Sequence, residues 1–201
     1  MWVIEDYART IHEPLESLEP RKVAAFLASC AERLMPLYRQ FCAEQNWDAH
    51  SYLEDALDYL WEVLLQISPE ENLLGILGSV ERQAPYAHSN SALITAAQNC
   101  VFCIDVALRY LLHGCVWLYV NPWVSVEAVA SVEYRRLEGV SRCDSTSADD
   151  ILEERVLATV QRELACQSCD VETLVASDNV SEVVDLMRVR ARNNAYWESR
   201  V

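Results

Sequence analysis

Apolar residues between positions 22 and 65 recur at spacings of three and four, which is the period of one face of an α-helix. The first series runs through seven positions: Val23, Phe26, Leu27, Cys30, Leu34, Leu37 and Phe41. A second series follows: Leu53, Ala56, Leu57, Leu60, Trp61 and Leu64. The pattern predicts consecutive amphipathic helices, and no other stretch of the chain is so regular.

Proline and capping residues set the expected limits of these helices. Pro20 suits the first turn of a helix, where a missing N–H costs nothing, and that helix is expected to reach Met35. Pro36 removes a backbone hydrogen bond, so it should break or kink the helix before a second one runs to Gln45. Asp48 is a candidate N-cap for a third helix that ends near Ile67.

The remaining chain also reads as helices separated by polar breaks. The strongest is a segment from Ser91 to His113 that is apolar around most of its circumference, closed by Gly114, and therefore expected to be central. The other expected helices are a weaker one at 70–83, one after Asn121 to about Glu138, one from Ser147 to about Cys166, a short one after Asp170, and a last one from Ser181. Residues 139–147 form the clearest loop.

The scarcity of glycine and the absence of alternating β-branched runs predict an all-α fold. We expect a single-domain bundle of about seven or eight helices over residues 1–201, with its first long helix kinked at Pro36. Residues 1–19 read as an N-terminal arm. Residues 186–201 form a locally basic tail that is expected to fold back onto an acidic face; its arginines are Arg188, Arg190, Arg192 and Arg200.

The formal net charge of −15 excludes two classes of partner. It repels nucleic-acid phosphates and anionic membrane surfaces, and it attracts basic proteins. The longest apolar stretch, Cys100 to Val120, is interrupted by three charged or polar residues and predicts a buried helix rather than a membrane span. No export signal is recognisable, so the eight cysteines are expected to be reduced thiols in the cytoplasm.

Two C-x-x-C pairs, Cys100/Cys103 and Cys166/Cys169, could together supply four thiolates to zinc, with His113 as a further candidate ligand. The favoured alternative is that the cysteines are ordinary core residues. The first pair lies in an apolar helical run, where free cysteine behaves as a small hydrophobic residue. We therefore predict no metal site. If the chain did bind a metal ion, these five residues would be the candidate ligands.

A second candidate site is the row of carboxylates Glu54, Asp58 and Glu62 at i, i+4 and i+8 of the third helix. Such a row is compatible with a cation site, but a solvated helix face is the commoner explanation. A nearby arginine, Arg33 or Arg39, would offset the repulsion between these like charges.

Motifs for nucleotide cradles, serine nucleophiles, di-iron bundles and zinc proteases are absent, so no cofactor is indicated. Trp117, Tyr119 and Trp123 lie close together in the sequence at a predicted junction between two helices. An aromatic cluster of this kind is found in helix packing and also at interfaces.

The wording of the first two amphipathic segments resembles a bacterial family. A-S-C-A-E-R-L-M-P-L-Y-R-Q-F-C, followed by L-D-Y-L-W-E, is similar to the YjaG-like proteins, which carry domain of unknown function number 416. The resemblance is strongest over residues 22–65 and implies a mostly helical cytoplasmic protein with no established activity. The positions that match the family wording, of unknown role, are Glu32, Arg33, Pro36, Tyr38, Asp58, Trp61 and Glu62.

These observations favour a non-enzymatic helical protein that binds another protein. The partner is either a second copy of the chain, in a homodimer, or a basic protein; an immunity or antitoxin-like protein that blocks a basic toxin is one version. The alternative is a metal-dependent or other small-molecule enzyme using Glu54, Asp58 and Glu62 or the C-x-x-C pairs. A nucleic-acid mimic would require the negative charges to lie on one face.

Overall fold

The computed structural model describes residues 7–47, 50–67, 70–85, 93–114, 125–130, 132–133 and 147–195. Throughout these ranges the backbone forms helices and connecting turns, without a strand. The predicted all-α bundle is therefore confirmed. Within the same ranges no helix combines the length and the apolar character needed to cross a membrane.

Helix α1 spans Pro20–Gln45 and lies at the centre of the fold. Proline occupies its first turn, and Asn46 closes it in the left-handed region at φ 51°. The small side chains of Ala24, Ala25 and Ala28 are fully buried, which lets neighbouring helices approach α1 closely. Its most extensive contacts are with the helix at 94–113, and it also packs against the helices at 50–64, 147–176 and 180–193.

The helix continues through Pro36, so the predicted division into two helices at this residue is wrong. Proline costs one hydrogen bond, but the flanking Met35 and Leu37 are buried in the core. Keeping both in place favours a continuous helix. A bend at Pro36 stays a prediction.

Helices α2 to α4 follow the predicted order with shifted ends. Helix α2 spans His50–Leu64, three residues shorter than expected at its end, because Gln66 takes a left-handed conformation. A single 3₁₀ turn, Glu70–Asn72, leads into α3, which spans Leu73–Glu81. Helix α4 spans Ile94–His113 and ends at Gly114 with φ 70°, as predicted for that glycine. The candidate cap Asp48 lies outside the described residues.

The predicted helix after Asn121 is described only in part, with helical residues at 125–130 and 132–133, and most of the 139–147 loop lies outside the described residues. Helix α5 then spans Ser147–Ala176 without interruption. The predicted end near Cys166 is wrong because Gln167 and Asp170 are fully buried, so the helix must continue to hold them inside.

Helix α6 spans Val180–Asn193, after the predicted break at Ser177 and Asp178. Asn179 caps it by accepting a hydrogen bond from the Ser181 amide. The chain's only lysine, Lys22 on α1, donates from Nζ to the Ser177 carbonyl at 2.5 Å and ties this turn to the core. The arm before α1 consists of two short helical turns, Ala8–His12 and Glu13–Glu16.

Candidate functional site

Two adjacent residues of α1, Glu32 and Arg33, contact different helices and anchor two separate clusters of charge. Arg33 is 1% exposed and contacts α5, whereas Glu32 contacts α2 and α6. Both belong to the family wording. The two clusters are therefore the first candidates for a functional site.

The Arg33 cluster pairs one guanidinium with two buried carboxylates. Arg33 donates from Nε and Nη2 to the two oxygens of Glu163, each at 3.0 Å, and from Nη1 to Asp170 at 2.8 Å. Ser29 donates to the same Asp170 oxygen at 2.7 Å. Burial opposes the charge on Arg33, yet Glu163 and Asp170 hold its pKa above the usual value. Arg33 is thus charged, and the cluster is closed to solvent.

The cluster extends to the N-terminal arm. Gln167 donates from Nε2 to Ser125 at 2.6 Å and to Glu163 at 3.0 Å, and its Oε1 accepts a hydrogen bond from the Tyr7 hydroxyl at 2.9 Å. Ser125 donates to Glu163 at 3.0 Å. Because all of these side chains are buried, a substrate has no access to them in this conformation. The cluster joins the arm, α1, α5 and the segment containing Ser125.

Sequence reasoning missed the partners of Arg33. Glu163, Gln167 and Asp170 are spaced at i, i+4 and i+7, so they share one face of α5 with the buried Leu164, Val171 and Leu174. That spacing was the available signal, since polar residues among core positions indicate a buried network.

The Glu32 cluster is more open. Glu32 accepts hydrogen bonds from the Trp61 indole at 2.7 Å and from Arg192 Nε at 2.8 Å. Arg192 also reaches Asp58 at 3.3 Å, and Arg188 pairs with the same carboxylate. The Arg192 and Asp58 side chains are 52% and 55% exposed. The described part of the basic tail therefore folds back onto acidic residues, as predicted; Arg200 lies outside the described residues.

This arrangement changes the interpretation of the carboxylate row on α2. Arg39 pairs with Glu54, and Arg188 and Arg192 pair with Asp58. Arg39 is one of the two arginines expected to offset the row, whereas Arg33 is committed to α5. Glu62, the third member, is only half-buried. The row thus serves to dock α6 and to link α1 with α2.

The remaining family positions belong to the core. Trp61 is fully buried, and Tyr38 is 1% exposed beside Cys42, where burial raises the pKa of its hydroxyl. Pro36 is half-buried.

The candidate metal ligands lie in different environments. Cys100 and Cys103 are buried on α4, whereas Cys166 is half-buried, Cys169 is exposed on α5, and His113 is exposed at the end of α4. Burial raises the pKa values of the Cys100 and Cys103 thiols, which keeps them protonated. Within the described ranges, no three His, Cys, Asp or Glu side chains form a group that could hold a metal ion. The two pairs therefore do not build the four-thiolate site.

The outer face of α5 and α6 carries exposed aliphatic side chains. Val175, Leu186 and Val189 are 56%, 55% and 57% exposed. The helices run antiparallel, as shown by hydrogen bonds from Arg162 to the Asn194 carbonyl and from Arg190 to Thr173. Thr173 faces α6, and Val175 follows it by two residues, about 200° further around α5, so Val175 faces away from α6. Leu186 and Val189 lie one turn apart on the outer face of α6, next to α5, and we call these two residues the α5–α6 patch.

Acidic residues surround the α5–α6 patch. All are exposed, and none has a basic partner among the residues that the structure describes: Glu172, Asp178, Glu182 and Asp185. The neighbouring arginines are directed inward, since Arg188 pairs with Asp58 and Arg190 with Asp170. The patch therefore has an apolar centre, and its acidic rim has no basic partner among the described residues.

A concave site lies between α3 and α4. We call it the α3–α4 groove; its volume is about 550 Å³, and it is lined by Glu81, Ala84, Gln98, Asn99, Val101, Phe102, Asp105 and Arg109. Arg109 donates from Nε to Asp105 at 2.8 Å and also pairs with Glu81. The hydrogen bond that Arg109 donates to Asp105 and the charges of both carboxylates raise the Arg109 pKa. The sequence analysis noted the Asp105–Arg109 spacing only as a helix pair. The aromatic junction of Trp117, Tyr119 and Trp123 lies outside the described residues.

Comparison with known proteins identifies the fold and the family. A crystal structure of a DUF416 family protein from Shewanella baltica OS155 superimposes with a TM-score of 0.66 and 19% sequence identity, covering 90% of this chain and 92% of that one. At this identity the likeness concerns the fold alone. A search of curated proteins found no match. The family model described as "Protein of unknown function (DUF416)" matches residues 10–196, and the chain belongs to that family.

Proposed function

We propose that the chain acts by binding a basic protein through the α5–α6 patch. The observation that carries this proposal is the combination of two neighbouring aliphatic side chains, each more than half exposed, with four exposed carboxylates that have no basic partner among the described residues. Exposed apolar residues within a polar rim are typical of protein interaction sites.

The charge of the rim selects the class of partner. The rim bears four negative charges on a chain whose formal net charge is −15. Two copies meeting through this face would bring like charges together, which opposes a homodimer. A partner with aliphatic side chains flanked by Lys or Arg complements both parts of the surface. An amphipathic basic helix lying along α6 has the required geometry.

The other carboxylates of the sequence analysis are engaged within the fold. Glu32, Glu54 and Asp58 each contact at least one arginine of the same chain. Their use in docking α6 and in joining α1 to α2 favours a binding role over catalysis by the carboxylate row.

The experiment compares three forms of the tagged protein. Proteins that co-purify with the wild type from the source cells are quantified by mass spectrometry, and the enriched partner is then purified and titrated. Leu186→Asp/Val189→Asp is expected to weaken binding of that partner at least about tenfold, as loss of two central apolar anchors does. Leu74 lies on α3 and is 69% exposed. Its substitution Leu74→Asp is the matched control and should bind the partner as the wild type does.

A charge-reversed form, Glu182→Lys/Asp185→Lys, tests the rim separately. It should reduce the association rate and its dependence on salt. An acidic partner, a partner insensitive to both double substitutions, or a dimer that Leu186→Asp/Val189→Asp dissociates would overturn the proposal.

A further inference from the structure

The α3–α4 groove lies on other helices than the α5–α6 patch and has the size of a small-ligand site. Its α4 wall runs from Gln98 to Arg109, which at a rise of about 1.5 Å per residue is a length of about 16 Å. The volume of about 550 Å³ falls in the range of pockets that hold small molecules.

The groove separates an apolar part from a charged end. Val101, Phe102 and Ala84 line the apolar part. At the charged end, one guanidinium faces two carboxylates, because Arg109 contacts both Asp105 and Glu81. This end therefore has a formal charge of −1.

Glu81 is the accessible member of that group. Its side chain is 53% exposed, compared with 16% for Asp105. Arg109 contacts only Oε1 of Glu81, whereas it binds both oxygens of Asp105. Among the described residues nothing contacts the second oxygen of Glu81, which can accept a hydrogen bond from a ligand.

From this geometry we infer that the groove binds a small apolar molecule with a single cationic amine. The apolar body lies on Phe102 and Val101, and the ammonium group donates to Glu81 and balances the residual negative charge. An anionic ligand meets an arginine that is already paired with two carboxylates, so the groove disfavours it.

The test uses matched linear probes of four to ten carbons: alkylamines, alcohols and carboxylates. Binding is measured by isothermal titration calorimetry at fixed ionic strength. The amines are expected to bind with an affinity that rises with chain length, because each added methylene buries more apolar surface. The alcohols should bind at least about tenfold more weakly and the carboxylates not at all, since neither makes the charge-assisted hydrogen bond.

Three variants link the binding to the groove. Glu81→Gln should weaken amine binding at least about tenfold and leave alcohol binding unchanged. Ala84→Leu, at an exposed position on the rim, should block the amine and the alcohol alike without affecting folding. Glu71→Gln removes the same charge from an exposed position outside the groove, and should bind amines as the wild type does.

Non-specific attraction of amines to the acidic protein predicts a different result, namely that Glu81→Gln and Glu71→Gln have the same small effect. That outcome would overturn the inference, as would equal binding of amines and carboxylates or no binding of any amine.

Discussion

The Arg33 and Glu32 clusters start from neighbouring residues of α1, yet they differ in burial. Every side chain of the Arg33 cluster is closed to solvent, whereas the Glu32 cluster contains the half-exposed Arg192 and Asp58. A buried charge that loses its partner is left without water, whereas an exposed one is rehydrated. The two clusters should therefore respond very differently to the same kind of substitution.

The largest effect of burial on the free energy of unfolding is expected in alkaline solution. Burial raises the pKa values of Cys30, Cys100 and Cys103, so these thiols stay neutral in the folded state and ionise only after unfolding. Their stabilisation is complete below the unfolded pKa of about 8.5 and is lost as the pH rises above it. Together they should lower the free energy of unfolding by about 4 kcal/mol per pH unit between pH 9 and 10.5.

Urea denaturation under reducing conditions measures this slope, and Cys100→Ala should reduce it by about 1.4 kcal/mol per pH unit, the contribution of one thiol. A free energy of unfolding that stays constant up to pH 10.5 would show that the thiols are accessible to water.

Removal of the buried guanidinium should have the next largest effect. Arg33→Met leaves Glu163 and Asp170 without their main partner, and should lower the free energy of unfolding by about 3–5 kcal/mol. Arg39→Met is the matched control, because Arg39 pairs with Glu54 at an exposed site and its loss should cost less than about 1 kcal/mol. Equal costs in urea denaturation would contradict the distinction between the clusters.

Trp61→Phe tests the boundary between the two environments. It keeps most of the buried ring but removes the donor to Glu32, so we expect a loss of about 1–3 kcal/mol in the free energy of unfolding. Arg192 still contacts Glu32 and limits the cost. A thermal unfolding curve indistinguishable from that of the wild type would mean that Arg192 alone satisfies this carboxylate.

The smallest effect is expected at the exposed end of the Glu32 cluster. Arg192→Ala should cost about 1 kcal/mol or less, because Asp58 is exposed and keeps Arg188, and Glu32 keeps the hydrogen bond from Trp61. The difference from the wild type should decrease at 0.5 M NaCl, since salt screens exposed pairs. A larger cost that does not depend on salt would place this pair with the buried ones.

Apolar spacing located the helical segments of α1, α2 and α4, although the sequence analysis divided α1 wrongly at Pro36. It placed the end of α5 wrongly near Cys166, because periodicity gives no sign that the polar Gln167 and Asp170 are buried. Their partners lie on distant parts of the chain, since Asp170 meets Arg33 and Gln167 meets Tyr7. Periodicity reports which face of a helix is apolar, and it carries no information about pairing between residues 130 or more positions apart.

The candidate sites show the same limit. The carboxylate row was visible in the sequence, but its use for docking α6 depends on where the last helix packs. The α3–α4 groove is formed where α3 packs against α4, and no sequence motif indicates that these two helices meet. The α5–α6 patch depends on which face of α6 packs against α1 and α5.

The contact between Lys22 and the Ser177 carbonyl has a practical consequence. Because the chain has a single lysine, an amine-selective reagent has one side-chain target, and that target holds the turn between α5 and α6. The rate at which its ε-amine is labelled therefore reports how often this turn separates from α1. Labelling with and without a bound partner follows the opening of the turn beside the α5–α6 patch, and needs no engineered probe.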